Sequence, residues 1–217
     1  MPLQNRVTPF GTFVATAHRG TLMGNRGCLH DAERRIGTAR WRSRAWIACL
    51  TAFAGRRRAL MQPGRYTELF FLDEATAFAA GHRPCAECRR ADWRRFAAAW
   101  RAGNGLPPDA PLRAGEVDRV LHEARVDPRT RAQLRTPARL GDLPDGAMVV
   151  LNEKEAEAGD GARLWRGGRL APWSHAGYGP PRPADPARTV LSLTPAPVLR
   201  AFAAGYAPDL HETAQPE

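Results

Sequence analysis

The stretch that most restricts how this chain can fold is Gly81-His82-Arg83-Pro84-Cys85-Ala86-Glu87-Cys88, followed at once by Arg89 and Arg90. Pro84 fixes its own φ and disfavours helix in the residue before it, so the chain must reach Cys85 in a rigid lead. Two thiols three positions apart can turn to the same side of a tight knuckle and chelate one metal ion. Directly afterwards Trp93, Phe96, Ala97 and Trp100 recur at helical spacing, with Arg90, Arg94, Arg95 and Arg101 mostly elsewhere. This predicts an amphipathic basic helix over about Arg90–Ala102, stopped by Gly103, with its aromatics in the core.

A structural zinc ion takes four Cys or His ligands, so this pair needs help from upstream. Cys49 lies in the apolar run "AWIACLTAF" (45–53), whose length and flanks favour a buried strand. Cys28 and His30 are two apart beyond a Gly-Asn turn and share a face if that segment is extended. Two ligand sets follow: Cys28, Cys49, Cys85 and Cys88, or the same set with His30 in place of Cys28. His82 is closer in sequence but precedes the proline. The competing readings of the pair are buried cysteines without metal, or a redox dithiol. The second expects the pair to follow a strand at a helix start, whereas here a helix, Gly81 and Pro84 intervene.

Four cysteines in 217 residues are sparse for a disulfide-stapled secreted protein. The opening MPLQNRV has no apolar signal region, and no apolar run approaches membrane-spanning length. A cytoplasmic protein with no membrane partner is the expectation.

The net charge is +10, and 31 of the 32 basic residues are arginine, Lys154 being the one lysine. Residues 1–105 hold 18 arginines against seven acids, a net +11, whereas residues 106–217 hold 14 basic residues against 15 acids, a net −1. A compositional bias would act on both halves alike, so the asymmetry points to a polyanion meeting the first half. Nucleic acid is the expected partner, held through its phosphates by Arg42, Arg44, Arg56, Arg57, Arg89, Arg90, Arg94 and Arg95. The competing reading is a solvated basic face.

The patterning is that of an α+β protein in two parts: a zinc-stapled module of short strands and a basic helix over 1–105, and a neutral region over 106–217. The linker "GNGLPPDAPL" (103–112) separates them. Short strands are expected within 1–30, then strands at 45–53, at "ALM" (59–61) and at Tyr66–Leu72. "GRRR" (55–58) reads as a turn. Asp73 is the expected N-cap of a short helix Glu74–Ala80 that stops at Gly81. The second part begins with a helix over 114–127 and an irregular stretch over 128–145. Strands follow in "GAMVVL", in a hairpin around Gly167-Gly168, and in "TVLSL" (189–193), with a Pro-rich loop before the last. A helix near 196–204 and a frayed end over 212–217 complete the chain. "AFAAGHRP" (77–84) returns as "AFAAGYAP" (201–208), each copy after a strand-like run and the second without cysteines. An old duplication and chance in an alanine-rich chain both account for that echo.

"YTELFFLDEATAFAAGHRPCAECRR" resembles the second half of the Ada-type zinc-binding module: a strand ending in Phe, a short helix ending Ala-Ala-Gly, then Arg-Pro-Cys-x-x-Cys and basic residues. The likeness covers about residues 66–90. "MGNRGCLH" with Cys49 is similar, more distantly, to the first half of related small zinc modules. The resemblance implies zinc on Cys85 and Cys88 and contact with DNA. In the Ada type a zinc-bound cysteine also accepts a methyl group from a backbone phosphotriester. That use needs an upstream C-x-x-x-C pair, which this chain lacks; Cys49 or Cys28 would be the thiolate in question. "RPCAEC" also resembles the P-C-x-x-C half of the zinc deaminase signature, but neither His30-Asp-Ala-Glu33 nor His122-Glu123 supplies the His-x-Glu half at the right place. A zinc enzyme acting on nucleic acid or nucleobases, and a non-catalytic interaction protein with structural zinc, are therefore the alternatives to a zinc-dependent nucleic-acid-binding protein.

Overall fold

The computed structural model describes residues 1–55 and 59–214. It is α+β, with five α-helices and two sheets. The first sheet is built from β1 (Arg6–Val7), β2 (Phe13–Val14), β3 (Leu22–Asn25), β4 (Ile47–Leu50), β5 (Leu69–Phe71) and β6 (Arg83–Pro84), in the order β2-β1-β5-β3-β4-β6. Period-2 alternation gives it two distinct faces. Leu22, Ala48, Leu69 and Phe71 pack with Ala77 and Ala80, while Met23, Ile47, Cys49 and Phe70 look the other way, into a cavity.

Asp73 caps helix α1 (Glu74–Ala79), its carboxylate accepting from the Thr76 N–H. Gly81 then turns the chain with φ 84°, and a Cβ there would stand 2.5 Å from the Arg125 side chain. Helix α2 (Arg90–Gly103) buries Phe96, Ala97, Ala99 and Trp100, as its aromatic spacing requires. Gly103 is the last helical residue, and Asn104 is the cap. Helix α3 (Ala114–Arg125) turns Val117, Asp118, Leu121 and Arg125 inward. Asp118 grips Arg83 through two hydrogen bonds of 2.9 and 2.7 Å, which fixes the segment entering the cysteine knuckle.

The second sheet comprises β7 (Thr136–Arg139), β8 (Met148–Val150), β9 (Arg163–Arg166), β10 (Arg169–Ser174), β11 (Gly177–Tyr178), β12 (Arg182–Pro183) and β13 (Thr189–Ser192). Its order is β11-β10-β9-β8-β13-β7, with β12 also on β10. Helix α4 (Glu153–Ala158) and helix α5 (Ala196–Ala203) complete the fold. Each sheet falls within one of the two expected parts, yet the cores cross between them. One cluster joins Leu72, Ala75 and Ala79 to Met148, Val150 and Leu164, and another joins Phe78, Phe96 and Trp100 to Leu121, Val198 and Phe202.

Four local expectations need correction. Ala59–Met61 is a turn and not a strand: Met61 takes φ 53° and its N–H donates to Glu68 Oε2. The stretch 128–145 contains β7 despite Pro137, because β7 is an edge strand where a missing N–H costs no ladder bond. The Pro-rich loop carries β11 and β12. The end expected to fray over 212–217 is ordered where it is described: Glu212–Ala214 is a short 3₁₀ helix, Ala214 is buried, and its carbonyl accepts from Arg166 at 2.8 Å. Residues 215–217, and 56–58 of the expected turn at 55–58, lie outside the described residues.

Candidate metal centre

The cysteine site forms where three segments meet. Cys49 projects from β4 on the cavity side, opposite Met23. β4 pairs in parallel with β6, Ile47 against Arg83 and Ala48 against Pro84. The Cys85 N–H continues that ladder to the Ala48 carbonyl at 2.9 Å, which draws Cys85 up beside Cys49. The chain then turns: the Glu87 N–H donates to Cys85 Sγ at 3.4 Å, and the Arg89 N–H to the Cys85 carbonyl at 3.2 Å. The turn returns Cys88 to the same point, and the sulfurs of Cys49, Cys85 and Cys88 all lie within 4.8 Å of one another.

The electrostatics of the three thiols differ. The hydrogen bond from Cys49 draws Cys85 down to about 5, against its own burial, with help from the Cys88 and Glu87 backbone N–H groups. Donation to Cys85 and then burial push the Cys49 thiol up. Burial pushes Cys88 up too, in spite of a hydrogen bond from the Leu50 backbone.

These residues fit a thiophilic divalent ion. Tetrahedral zinc with bonds of about 2.3 Å sets its sulfurs about 3.8 Å apart, a spacing compatible with three sulfurs that all lie within 4.8 Å of one another. Cavity-side lining includes Cys49, Cys85 and Cys88 together with Met23, Asn25, Tyr66, Glu68, Phe70 and Glu87, around a volume of about 820 Å³. The metal centre would therefore stand at the wall of a sizeable chamber.

Cys28 and His30 are not brought to this point. Cys28 is exposed, with its sulfur 3.8 Å from the His30 carbonyl oxygen. The buried His30 ring is committed at both nitrogens. Nε2 lies 3.2 Å from the Gln62 carbonyl, which can only accept, so Nδ1 accepts from the Thr67 hydroxyl at 2.6 Å. The Thr67 N–H donates to the Gly27 carbonyl and Thr67 Oγ1 accepts from the Leu29 N–H, and these bonds lace the 27–30 loop to the strand lead instead of to the thiols. His82 is fully buried, between Phe71 and Trp46.

The arginines also sort differently from their appearance in sequence. Arg89 is an internal brace, its side chain 1% exposed and paired with Glu74 at 2.7 Å, Asp92 at 2.9 Å and Asp209 at 3.4 Å. With three carboxylates already around it, this guanidinium is neutralised from within the fold and is not placed to meet a phosphate. Arg95 is half exposed, paired with Asp92 at 2.8 Å and stacked on Tyr206. Arg42, Arg44, Arg90 and Arg94 are exposed. Arg56 and Arg57 lie outside the described residues.

The residues that sequence reasoning missed include Tyr66, Glu68 and Phe70. Their i, i+2, i+4 spacing puts all three on the cavity wall, and that alternation is readable in "YTELF". The fold and cysteine cluster define an α+β protein with a candidate three-thiolate metal centre. Compared with protein-family models, with curated proteins and with solved structures, the chain matches none. Among the described residues no helix is long and apolar enough to cross a membrane.

Proposed function

We propose that this protein binds one zinc ion through Cys49, Cys85 and Cys88, with the fourth coordination position turned to the cavity, and that its basic half holds nucleic acid. The observation that carries the metal reading is the convergence of three sulfurs from β4, the segment after β6 and the entry to α2. Three sulfurs brought together from separate segments at the wall of a cavity are what a shared thiolate-bound ion requires. The arrangement is consistent with an Ada-type module in which the knuckle pair and one upstream cysteine act together. Bound zinc would supply charge that keeps the thiolates deprotonated, and would polarise whatever donor fills the fourth position. The chain's own part is to aim the sulfurs: the β4–β6 ladder sets Cys49 against Cys85, and the Glu87 N–H steadies the Cys85 sulfur.

Metal analysis tests this directly. One zinc per chain is expected in the wild type, with loss on Cys49→Ala, Cys85→Ala or Cys88→Ala and retention on Cys28→Ala and His30→Ala. A chain that carries no stoichiometric metal, or loses it equally with Cys28→Ala, overturns the site. The nucleic-acid reading is supported by the +11 balance of residues 1–105 and by the exposure of Arg42, Arg44, Arg90 and Arg94. Binding to a duplex or single strand would weaken linearly in log–log terms as salt rises. A flat salt response removes it.

A second reading, a zinc enzyme, is favoured by the 820 Å³ cavity that the cluster lines together with Glu68 and Glu87. Structural zinc sites are closed, and catalytic ones keep one position for water or substrate. Absorption spectra of cobalt-substituted protein separate S₃O from S₄ or S₃N coordination, and an exchangeable water on the metal would favour the enzyme.

A further inference from the structure

We propose that Arg26, Arg40, Arg125 and Arg131 form a binding site for a phosphate group, in a recess distinct from the thiolate centre. Trp41 and Trp46 also line this recess, and no carboxylate does. Arg26 and Arg125 are each 1% exposed, and both guanidinium carbons stack on the Trp46 ring, at 4.0 and 3.8 Å from its centroid. Their hydrogen bonds go to neutral groups. Arg26 donates to the Gly11 and Ala80 carbonyls and to His82, and Arg125 to the Gly81 and Arg44 carbonyls. Carbonyls satisfy the donors but do not neutralise the charge. The acid that acts on Arg125 is Asp118, which is already gripped by both prongs of Arg83. Among the described residues the buried Nε of Arg125 has no hydrogen-bond partner.

Among the described residues no carboxylate is bonded to either guanidinium; two buried like charges so placed are costly in a folded protein, and an anion resolves that cost. The exposed Arg40 and Arg131 extend the positive lining outward, with Arg131 5.7 Å over the Trp41 ring. Planar guanidinium forks match the oxygens of phosphate better than a point charge does. Size narrows the ligand. The recess, open at its mouth, holds about 20 Å³, room for one group of about water size. Only the oxygen end of a phosphate enters, and any nucleoside or chain attached to it stays at the mouth beside Arg40, Arg131 and Trp41. The site does not depend on the metal reading.

Calorimetric titration of the full chain with inorganic phosphate at low salt is the test. Saturable binding is expected, weakened about tenfold or more in Arg40→Ala/Arg131→Ala. Because those two residues are exposed, the double variant should keep its fold. The control Arg182→Ala/Arg188→Ala removes the same charge from exposed positions in and after β12, outside the lining of the recess, and should change affinity less than about twofold. Phosphate should also shift the Trp46 indole N–H resonance. A 5′-phosphorylated single-stranded oligonucleotide, its unphosphorylated twin and adenosine monophosphate distinguish the sources. Preference for the first marks a terminal phosphate, parity of the two strands marks the backbone, and parity with the mononucleotide marks a free nucleotide. Absence of saturable phosphate binding, or equal weakening in both double variants, overturns the site.

Discussion

His82 has no exposure, and its imidazole is held neutral by burial, with the positive charges of Arg26 and Arg125 acting the same way. In the unfolded chain it would bind a proton near its ordinary value of about 6.5. Below that pH the unfolded state therefore holds one more proton than the folded state, and stability rises with pH through this window. Acidification from pH 6.5 to 5.5 should cost up to about 1.4 kcal/mol through this one group. His122 and His175 act in the same direction through burial, less completely. Denaturant unfolding at the two pH values, in wild type and His82→Phe, checks this. The variant should show the shallower pH slope, and equal slopes would mean that His82 titrates normally. At this scale the sequence was informative where chemistry is local. The Cys85–Cys88 spacing encodes its own knuckle, and Cys49 was legible as a buried strand position. The choice between Cys28 and His30 was not legible, because Thr67 and Gln62, more than 30 positions away, decide where that loop goes. Arg89 reads as a phosphate contact for the same reason: Asp209, which helps enclose it, is 120 residues downstream.

The elements follow their patterns most faithfully where a cap or a face is written locally, as with Asp73 and α1 or the aromatic stripe of α2. Gly103 shows how a correct residue can carry a different reason. It reads as a helix stop, yet it is helical, and a Cβ there would lie 2.1 Å from the Arg200 carbonyl oxygen. Its role is to let α2 press against α5. Gly103→Ala should therefore destabilise by about 2 kcal/mol or more despite the better helix propensity of alanine, since the obstacle is backbone. Gly115 in α3 has nothing within 4 Å of its virtual Cβ, and Gly115→Ala should stabilise by about 0.5–1 kcal/mol. Thermal melts of the pair give opposite shifts if the crossing is as close as described. The internal echo has a structural counterpart. Gly81 N–H donates to Phe78 O and His82 N–H to Ala77 O; Gly205 N–H donates to Phe202 O and Tyr206 N–H to Ala201 O. The two C-termini are the same glycine motif, and the Phe78 and Phe202 rings meet at 5.2 Å. The elements that escaped sequence reading, α4 and β7, are short and carry little periodicity: α4 is one acidic turn and a half, and β7 takes its place from its pairing with β13.

For the whole molecule, the charge boundary near residue 105 and the sheet boundary agree, but the packing does not respect them. Asp73, which starts the helix ahead of the knuckle, accepts from the Tyr178 hydroxyl at 2.8 Å, and Thr76 Oγ1 accepts from the Trp173 indole at 3.0 Å. Glu74 accepts from the Tyr206 hydroxyl at 2.9 Å, and Arg83 depends on Asp118. Helix α1, β6 and α2, on either side of the knuckle, are thus buttressed by residues beyond 105, a dependence invisible to charge and composition because it rests on contacts of long sequence separation. A fragment ending at 105 would expose Phe78, Phe96 and Trp100 and leave Asp73 and Arg83 without these partners. Zinc bound as proposed would repay part of that loss, because binding free energy at such a centre is folding free energy. It would act only on the cavity side of β4 and would not cover the apolar face of α2. The expectation is that residues 1–105 with stoichiometric zinc show no cooperative thermal transition, while the full chain melts in one transition that moves down as a whole on chelation. Calorimetry on both, with and without a chelator, decides it. A fragment that melts cooperatively with zinc would make the cysteine module an autonomous domain, and the contacts from Tyr178, Tyr206 and Asp118 a docking interface instead of a shared core.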